Sequence, residues 1–368
     1  MRQCVIAATT PRKPSVLLKS NDERNTTTGN PPVSGVIIRV ENLTRQFGMT
    51  EGRSGFAGSV LNLFSRRHYV KKAIDNISFN IGEGEFVGYV GENGAGKSTT
   101  IKILTGILTP TSGRAEVAGI VPYENRANNA KNIGVVFGQR TQLWWDLPAR
   151  ESFDLLRSIY KVDDAVFRKN FDELSETLEL GPLLSVPVRK LSLGQRMRCD
   201  IAAALLHGPR ALFLDEPTIG LDVIAKDQVR KFLRRANREN GATIILTTHD
   251  MDDIEALCER IIILDEGKIA YDGATEKLKD DYAREKLLEV ELNDTSQPLP
   301  DMPKVEVTRR EANRVWLKFS QDDVTAQDVI SRILGACVVN DISIHEPKVG
   351  DIVRNIYSHG LRKHGVDA

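Results

Sequence analysis

The sequence has no long hydrophobic run, no net charge and only four cysteines. Its most apolar stretches, such as "IIIL" at Ile261 to Leu264, fall far short of the ~18–20 residues that cross a bilayer, so the chain is not expected to span a membrane by itself. Fifty basic residues balance fifty acidic ones, which removes the electrostatic case for a nucleic-acid partner. Cys4, Cys199, Cys258 and Cys337 lie far apart, with neither metal-ligand nor redox spacing, and read as reduced thiols. The basic start "MRQCVIAATTPRKPS" is interrupted by Pro11 and Pro14 before its apolar piece reaches the length of a secretory signal, and a cytosolic location is expected. What remains is 41% hydrophobic and 27% charged residues over 368 positions, the composition of a globular protein with room for two domains.

Residues 1–35 include "NDERNTTTGNPP", which has nothing to bury, and are expected to form a disordered leader. From Val36 to about residue 280, short β-branched runs alternate with helical periodicities, the pattern of an α/β domain with a largely parallel sheet. "GVIIRVENL", "AIDNISFNI", "FVGYV", "ALFLD" and "ATIILTT" are its expected strands. Residues 281–368 carry "LLEVELND", "KVEVTRREANRVWLKF" and "VVNDISIHEP", which alternate like antiparallel strands around the helix "AQDVISRILGA", and predict a small α+β appendage.

The segment "FVGYVGENGAGKSTT" supplies the first chemistry. Gly91, Gly94 and Gly96 with Lys97 and Ser98 satisfy G-x-x-x-x-G-K-[ST] between an expected strand and an expected helix. Glycines let such a loop, with Asn93 and Ala95 among its members, turn backbone N–H groups toward a polyphosphate, and the helix dipole points at the same anion. Lys97 is expected to bridge β- and γ-phosphates, Ser98 to ligate Mg²⁺, and Thr99 to donate to the α-phosphate. The acidic partner is Asp215 at the end of "ALFLD", where open α/β sheets bind ligands, and Glu216 beside it is placed to act as general base on water. The competing pair Asp265 and Glu266 precedes Gly267 and reads instead as a hairpin turn.

A second helix start lies in "RKLSLGQRMRCDIAAALLHGPR". Ser192 and Gln195 have the spacing of a capping box, and Gly208-Pro209 closes the helix. On local grounds this is either a plain cap or a second anion site.

The order of these segments resembles the nucleotide-binding subunits of ATP-binding cassette (ABC) transporters, from about Ile37 to Gly273. "GENGAGKST" is similar to the Walker A loop, "LSLGQ" to the family signature, "FLDEPT" to Walker B, "GLD" with Asp222 to the D-loop, and "LTTHD" to the histidine switch. The resemblance implies an α/β P-loop NTPase fold, a mixed sheet core with a helical signature subdomain, followed by the small C-terminal α+β domain. It implies ATP and Mg²⁺ as cofactors and a head-to-tail pair of cassettes, in which each nucleotide lies between the glycine loop of one copy and Ser192, Gly194 and Gln195 of the other. Leu193 departs from the commoner glycine. His249 would contact the γ-phosphate, and Gln139 in "GQRTQLWWDLPARES" would contact Mg²⁺ and water, with Gln142 as the weaker alternative.

Adenine stacks in this family on an aromatic ring upstream of the loop, for which Phe47 and Tyr69 both remain open. Between them, Phe56, Val60, Leu63 and Phe64 share one helical face, followed by Arg66 and Arg67. The segment from Ser54 to His68 either packs on its own domain or, as insertions do in polysaccharide-exporting relatives, meets the membrane partner or lipid headgroups. Trp144 and Trp145 are core or rim aromatics, or part of the groove that receives a helix of the membrane subunit. "LWWDLP", "LSLGQRMR" and "FLDEPTIGLD" look most like the ATPases of ABC-2 type exporters, and "IHEPKVGDIVRNIY" resembles their terminal motif, with Gly350 where an acidic residue is frequent. That resemblance implies a homodimer, integral membrane permease subunits, and a peripheral place at the cytoplasmic face of the membrane. The alternative is a non-transport ABC ATPase acting on the ribosome or on DNA. Such relatives usually carry two cassettes in one chain or a very long coiled coil, and neither pattern occurs here; a P-loop GTPase would need an N-K-x-D motif, which is also missing.

Overall fold

A computed structural model describes residues 35–51, 67–138, 140–282, 285–294, 298–345 and 348–359. The leader up to residue 34, the amphipathic segment from Ser54 to Arg66, and Gln139 lie outside these residues.

Strand β1 (Val36–Glu51) pairs antiparallel with β2 (Arg67–Gly82), and both run further toward the intervening segment than their apolar patterns suggest. The hydrophobic strand β3 (Phe86–Gly91) follows, then helix α1 (Lys97–Leu104), and β4 (Ser112–Val117) returns to pair with β1 in the three-stranded order β2-β1-β4. After α2 (Arg126–Asn132), β5 (Ile133–Phe137) enters a second sheet. Helices α3 (Ala149–Tyr160), α4 (Asp164–Thr177) and α5 (Leu193–Leu205) form the helical region between β5 and β6 (Ala211–Asp215). Then come α6 (Val223–Asn240), β7 (Thr243–Thr247), α7 (Met251–Leu257), β8 (Arg260–Asp265), β9 (Lys268–Ala274) and α8 (Thr275–Tyr282).

The second sheet has the order β5-β6-β7-β3-β8-β9, parallel throughout except for β9. Its strands read as continuous apolar runs because both faces are covered. Ile261 and Ile263 of β8 join the helices in one core, while Ile262 and Leu264 face the antiparallel sheet in another with Ile38, Ile74 and Phe79. The β8–β9 connection is the hairpin expected at "DEGK": Asp265 pairs with Lys268, and Glu266 and Gly267 both have positive φ, 44° and 82°, the signature of a two-residue I′ turn. That geometry puts Asp265 and Glu266 in the β8–β9 turn, next to Leu264, which pairs with Gly91.

Strands β10 (Glu285–Leu292), β11 (Val305–Glu311), β12 (Arg314–Ser320) and β13 (Val339–His345) form an antiparallel sheet in the order β11-β12-β10-β13, and α9 (Ala326–Ala336) covers one face. Leu288, Val290, Val315, Leu317 and Phe319 meet Val329 and Ile333 there as a separate core. The last helix, α10 (Val349–His359), does not stay with this appendage. Its Val349, Ile352, Val353 and Ile356 enter the larger core of the first domain, and the Val349 N–H donates to Glu255 Oε1 of α7 at 2.7 Å. Gly350 stands beside Met251, where an added Cβ would be in ordinary contact at 3.4 Å. The sequence pattern alone puts residues 281–368 in one unit; the burial of this helix face ties their end back to α7.

Candidate functional site

All six residues of β3 are buried, so the strand delivers Gly91 to the sheet's C-terminal edge in a fixed place. The loop that follows turns through Gly96, whose φ is +110° and whose Cβ, if it had one, would stand 2.4 Å from the Ala73 carbonyl oxygen of β2. No side chain fits there. Helix α1 then begins at Lys97 with neither a side-chain cap nor an acidic residue in its first turn. Its leading N–H groups are therefore left for an external anion.

Lys97 is buried, and its Nζ donates to the carbonyl oxygens of Gly91 at 2.5 Å and Glu92 at 3.1 Å. Burial lowers its pKa, against the opposing pull of the Glu216 and Asp215 charges. Asn93 and Ser98 are exposed, Thr99 is half-buried, and Ala95 is buried with its N–H on the Glu92 carbonyl at 3.1 Å.

Opposite the loop, β6 ends in Asp215. Its Oδ2 accepts from the Ser98 hydroxyl at 3.3 Å and its Oδ1 from the Thr247 hydroxyl at 2.5 Å, so the carboxylate is held from both sides. Glu216 follows in a left-handed conformation, φ 56°, with its N–H on the Thr247 carbonyl at 2.9 Å. This backbone turn swings the Glu216 side chain out of the strand register, and its Oε1 lies 2.5 Å from His249 Nε2. A non-glycine residue with positive φ beside a reactive cluster marks a conformation that the surrounding structure enforces. Part of that enforcement is Gly138: its N–H donates to the Asp215 carbonyl at 2.7 Å, and a Cβ there would collide with the Glu216 carbonyl oxygen at 2.0 Å.

Behind the cluster, Asp253 is fully buried and accepts from the Thr218 hydroxyl at 2.5 Å, the Thr248 hydroxyl at 3.3 Å and Arg230. Asp250 accepts from Lys226 Nζ at 2.6 Å. These pairs staple the loop after Glu216, the His249 turn and α6 into one block. Asp253 does not stand out in the sequence by type or spacing; Thr218 closes "FLDEPT" and Thr247 opens "TTHD", but neither hydroxyl is marked there as a partner for a carboxylate.

The remaining expected residues fall in four groups. Ser192 caps α5, accepting from the Gln195 N–H at 3.2 Å while Gln195 Oε1 accepts from the Ser192 N–H at 2.9 Å, so the capping box is complete. Gly194 lies against Ala225, and Leu193 packs on Gly220, where an added Cβ would meet Leu193 Cδ2 at 3.0 Å. Asp222 caps α6, accepting from the Ala225 N–H at 2.8 Å. Phe47, on β1 opposite Lys71, has the Arg45 guanidinium over its ring at 4.7 Å, and Tyr69 lies on β2 opposite Met49. Gln142 is committed elsewhere: its side-chain amide donates to the Asp200 carbonyl of α5 at 3.0 Å. Among the described residues no group of three or more His, Cys, Asp or Glu side chains is placed to hold a metal, and no helix is long and apolar enough to cross a membrane.

The arrangement can grip a polyphosphate with amides and an ammonium, offer a hydroxyl and a carboxylate together to a hard cation, and hold a second carboxylate beside an imidazole. Residues 74–219 match the family described as ABC transporter. The ABC transporter ATP-binding protein NatA of Bacillus subtilis (strain 168) is 33% identical over 224 residues, 61% of this chain and 91% of that protein. The bacitracin transport ATP-binding protein BcrA of Bacillus licheniformis is 34% identical over 228 residues, 62% of this chain and 72% of its own. A solved dimeric ATP-binding cassette, in a post-hydrolysis state bound to ADP and Pi, is similar in fold with a TM-score of 0.54 and 28% identity, over 65% of this chain and 98% of that one.

Proposed function

Because the chain belongs to the family of ABC transporter ATP-binding proteins, we propose that it is the ATPase subunit of an ABC-2 type exporter. Two identical copies close around ATP and Mg²⁺ and drive separate permease subunits from the cytoplasmic face of the membrane. The observation that carries the reading is the Ser98–Asp215 and Glu216–His249 pairing at the mouth of an uncapped helix start.

The residues present fit a magnesium-bound triphosphate. The glycine cradle has no room for a side chain at Gly96, and the N–H groups of α1 have no cap to displace. Lys97 would lie along the phosphates; Ser98 and Asp215 would hold the cation, with Thr247 keeping the carboxylate from swinging away. The cation would neutralise charge on the phosphate oxygens. Glu216 would take a proton from the attacking water, and His249, which lies 2.5 Å from that carboxylate, would hold it in place and offer its ring to the γ-phosphate. Asn93, Gly94, Ala95 and Thr99 complete the loop around the phosphates.

The need for a second copy follows from the other helix start. Ser192 and Gln195 satisfy each other and the Arg196 N–H donates to the Ser192 carbonyl at 2.8 Å, which leaves the Leu193 and Gly194 N–H groups of α5 without a helical partner. Leu193 is absorbed by packing on Gly220, so its departure from the commoner glycine leaves this helix start intact. Close by, Val223 and Ile224 are 83% and 74% exposed, and Ile219 is exposed with them. An apolar patch beside an anion-binding helix start supports closure against another cassette. Trp144 and Trp145 also reach the surface, as do Leu155 and Ile159 on one face of α3, and this second patch supports docking of a permease helix.

The test is Glu216→Gln in the full-length chain with ATP and Mg²⁺. The variant should bind nucleotide, turn over little and accumulate as a nucleotide-dependent dimer in light scattering. A strictly monomeric Glu216→Gln protein, with Ser192 variants that cleave ATP at the wild-type rate, would remove the two-copy site.

A further inference from the structure

Helix α5 is buried from Cys199 to Leu205 and rich in alanine, yet it holds a carboxylate inside: Asp200, 5% exposed. A carboxylate is a poor way to fill such a position, since an apolar side chain of similar size would pack there without desolvation cost. Its hydrogen-bond partners come from one place, the loop that leaves β5. The Thr141 hydroxyl donates to Oδ1 at 2.7 Å, and the Gln142 N–H donates to the same oxygen at 3.1 Å. The Gln142 side chain adds its bond to the Asp200 carbonyl, and the Leu143 N–H donates to Thr141 Oγ1 at 3.1 Å, which fixes the hydroxyl. The other end of this loop is fastened to the sheet, where the Gly138 N–H donates to the Asp215 carbonyl at 2.7 Å. The Arg140 N–H donates to the Phe137 carbonyl at 2.9 Å, so the residues leading into Thr141 are tied to the end of β5, and the loop joins the strand end bearing Asp215 and Glu216 to the helix whose start carries Ser192 and Gln195.

We propose that Asp200 is a positioning residue that fastens Thr141 and Gln142 to α5, so that the carboxylate end of β6 and the anion-binding start of α5 shift together. The inference rests on the ATPase reading above and adds a residue that touches neither nucleotide nor cation. When α5 moves to meet the nucleotide bound by the partner copy, the loop cannot slide along the helix, because the Thr141 hydroxyl and Gln142 N–H are both held at one oxygen. The displacement is passed to the end of β5 by the Arg140–Phe137 bond and from there to the Asp215 backbone by the Gly138–Asp215 bond. Without the latch, α5 and the β6 end adjust separately, so this chain's own carboxylates and the helix start it presents to the partner copy's nucleotide are no longer set together, while the glycine loop still binds ATP.

The experiment measures steady-state ATP turnover against ATP concentration for the full chain and for Thr141→Val, Asp200→Ala, Asp200→Asn and the Thr141→Val/Asp200→Ala double variant. Thr141→Val and Asp200→Ala should each lower kcat by about 10-fold or more, while KM for ATP moves by less than about 2-fold. Asp200→Asn keeps an oxygen that accepts both bonds and should restore most of kcat. The double variant should be no worse than Asp200→Ala alone, since both changes open one latch. Wild-type kcat in both single variants, or losses that multiply in the double variant, would overturn the proposal. Thr141→Val conserves shape and keeps the test available should Asp200→Ala fail to fold. A wild-type chain that turns over no ATP would overturn the ATPase reading along with it; wild-type turnover with unaffected variants overturns the latch alone.

Discussion

Replacing Asp200 by Asn should stabilise the protein at alkaline pH and do so progressively less toward acid. Burial pushes the Asp200 carboxyl up from its ordinary 3.8 to about 6, with the Thr141 and Gln142 hydrogen bonds and the Arg196 charge pulling the other way. A folded-state pKa above the unfolded value means that the native protein holds the proton more tightly than the unfolded chain. The associated stability is fully present below about pH 3.8 and is lost as pH rises through about 6. At ~1.4 kcal/mol for each tenfold change in proton affinity, the ionised carboxylate costs the folded state about 3 kcal/mol once pH is well above 6. The loss is spread over the whole window, so about half of it falls between roughly pH 5 and pH 8. Asn carries no such dependence, although leaving its amide N–H groups unpartnered costs about 1 kcal/mol at every pH. The stability difference between Asp200→Asn and wild type should therefore grow by about 1.5 kcal/mol from about pH 5 to about pH 8. Urea unfolding followed by the fluorescence of Trp144 and Trp145, which lie in the same domain as Asp200, reads this difference directly. Titrations elsewhere cancel between the two proteins. A difference that stays flat with pH, or that falls toward pH 8, would refute the claim that an ionised carboxylate is held inside α5. A stability cost that rises with ionisation, at a residue whose Asn variant still turns over ATP, is the mark of a position retained for its hydrogen-bond geometry.

Two further outcomes follow from the packing around Gly96 and Ile352. Gly96→Ala should abolish nucleotide binding while leaving the far-ultraviolet circular dichroism unchanged, because a Cβ 2.4 Å from the Ala73 carbonyl must push the phosphate loop away from β2; equilibrium binding of a fluorescent ATP analogue checks it, and wild-type affinity would contradict it. Ile352→Ala in α10 should destabilise the first domain by about 2–5 kcal/mol in urea unfolding, as expected for a fully packed core isoleucine. A change confined to the β10–β13 appendage would show that the helix belongs there instead.

Much of this protein is legible along the chain because its main devices are local. The glycine loop, Lys97 and Ser98 are contiguous, and their conformation follows from residue type: glycine where φ is positive or a backbone passes close, a helix wherever the 3.6-residue period begins. The capping box at Ser192 and Gln195 and the turn at Glu266-Gly267 are likewise decided within a few residues, and both form as their sequences require. Asp215 and Glu216 could be placed at a strand end because a buried run must stop where charge begins. What pairing alone decided is everything that depends on distant segments meeting. Thr247 grips Asp215 across two adjacent strands, His249 meets Glu216 only because β6 and β7 are neighbours, and Gln142 turns to α5 because Asp200 waits there. Nothing in a window around Asp200 distinguishes it from an exposed helix residue, since burial is a property of what packs on the helix. The same holds for α10, whose amphipathic pattern predicts a covered face and cannot say which domain covers it. Residue type and spacing determine which backbone conformations and which chemistry are available; the partner of each buried polar group is chosen by the tertiary fold, because desolvation makes only a completed hydrogen bond tolerable.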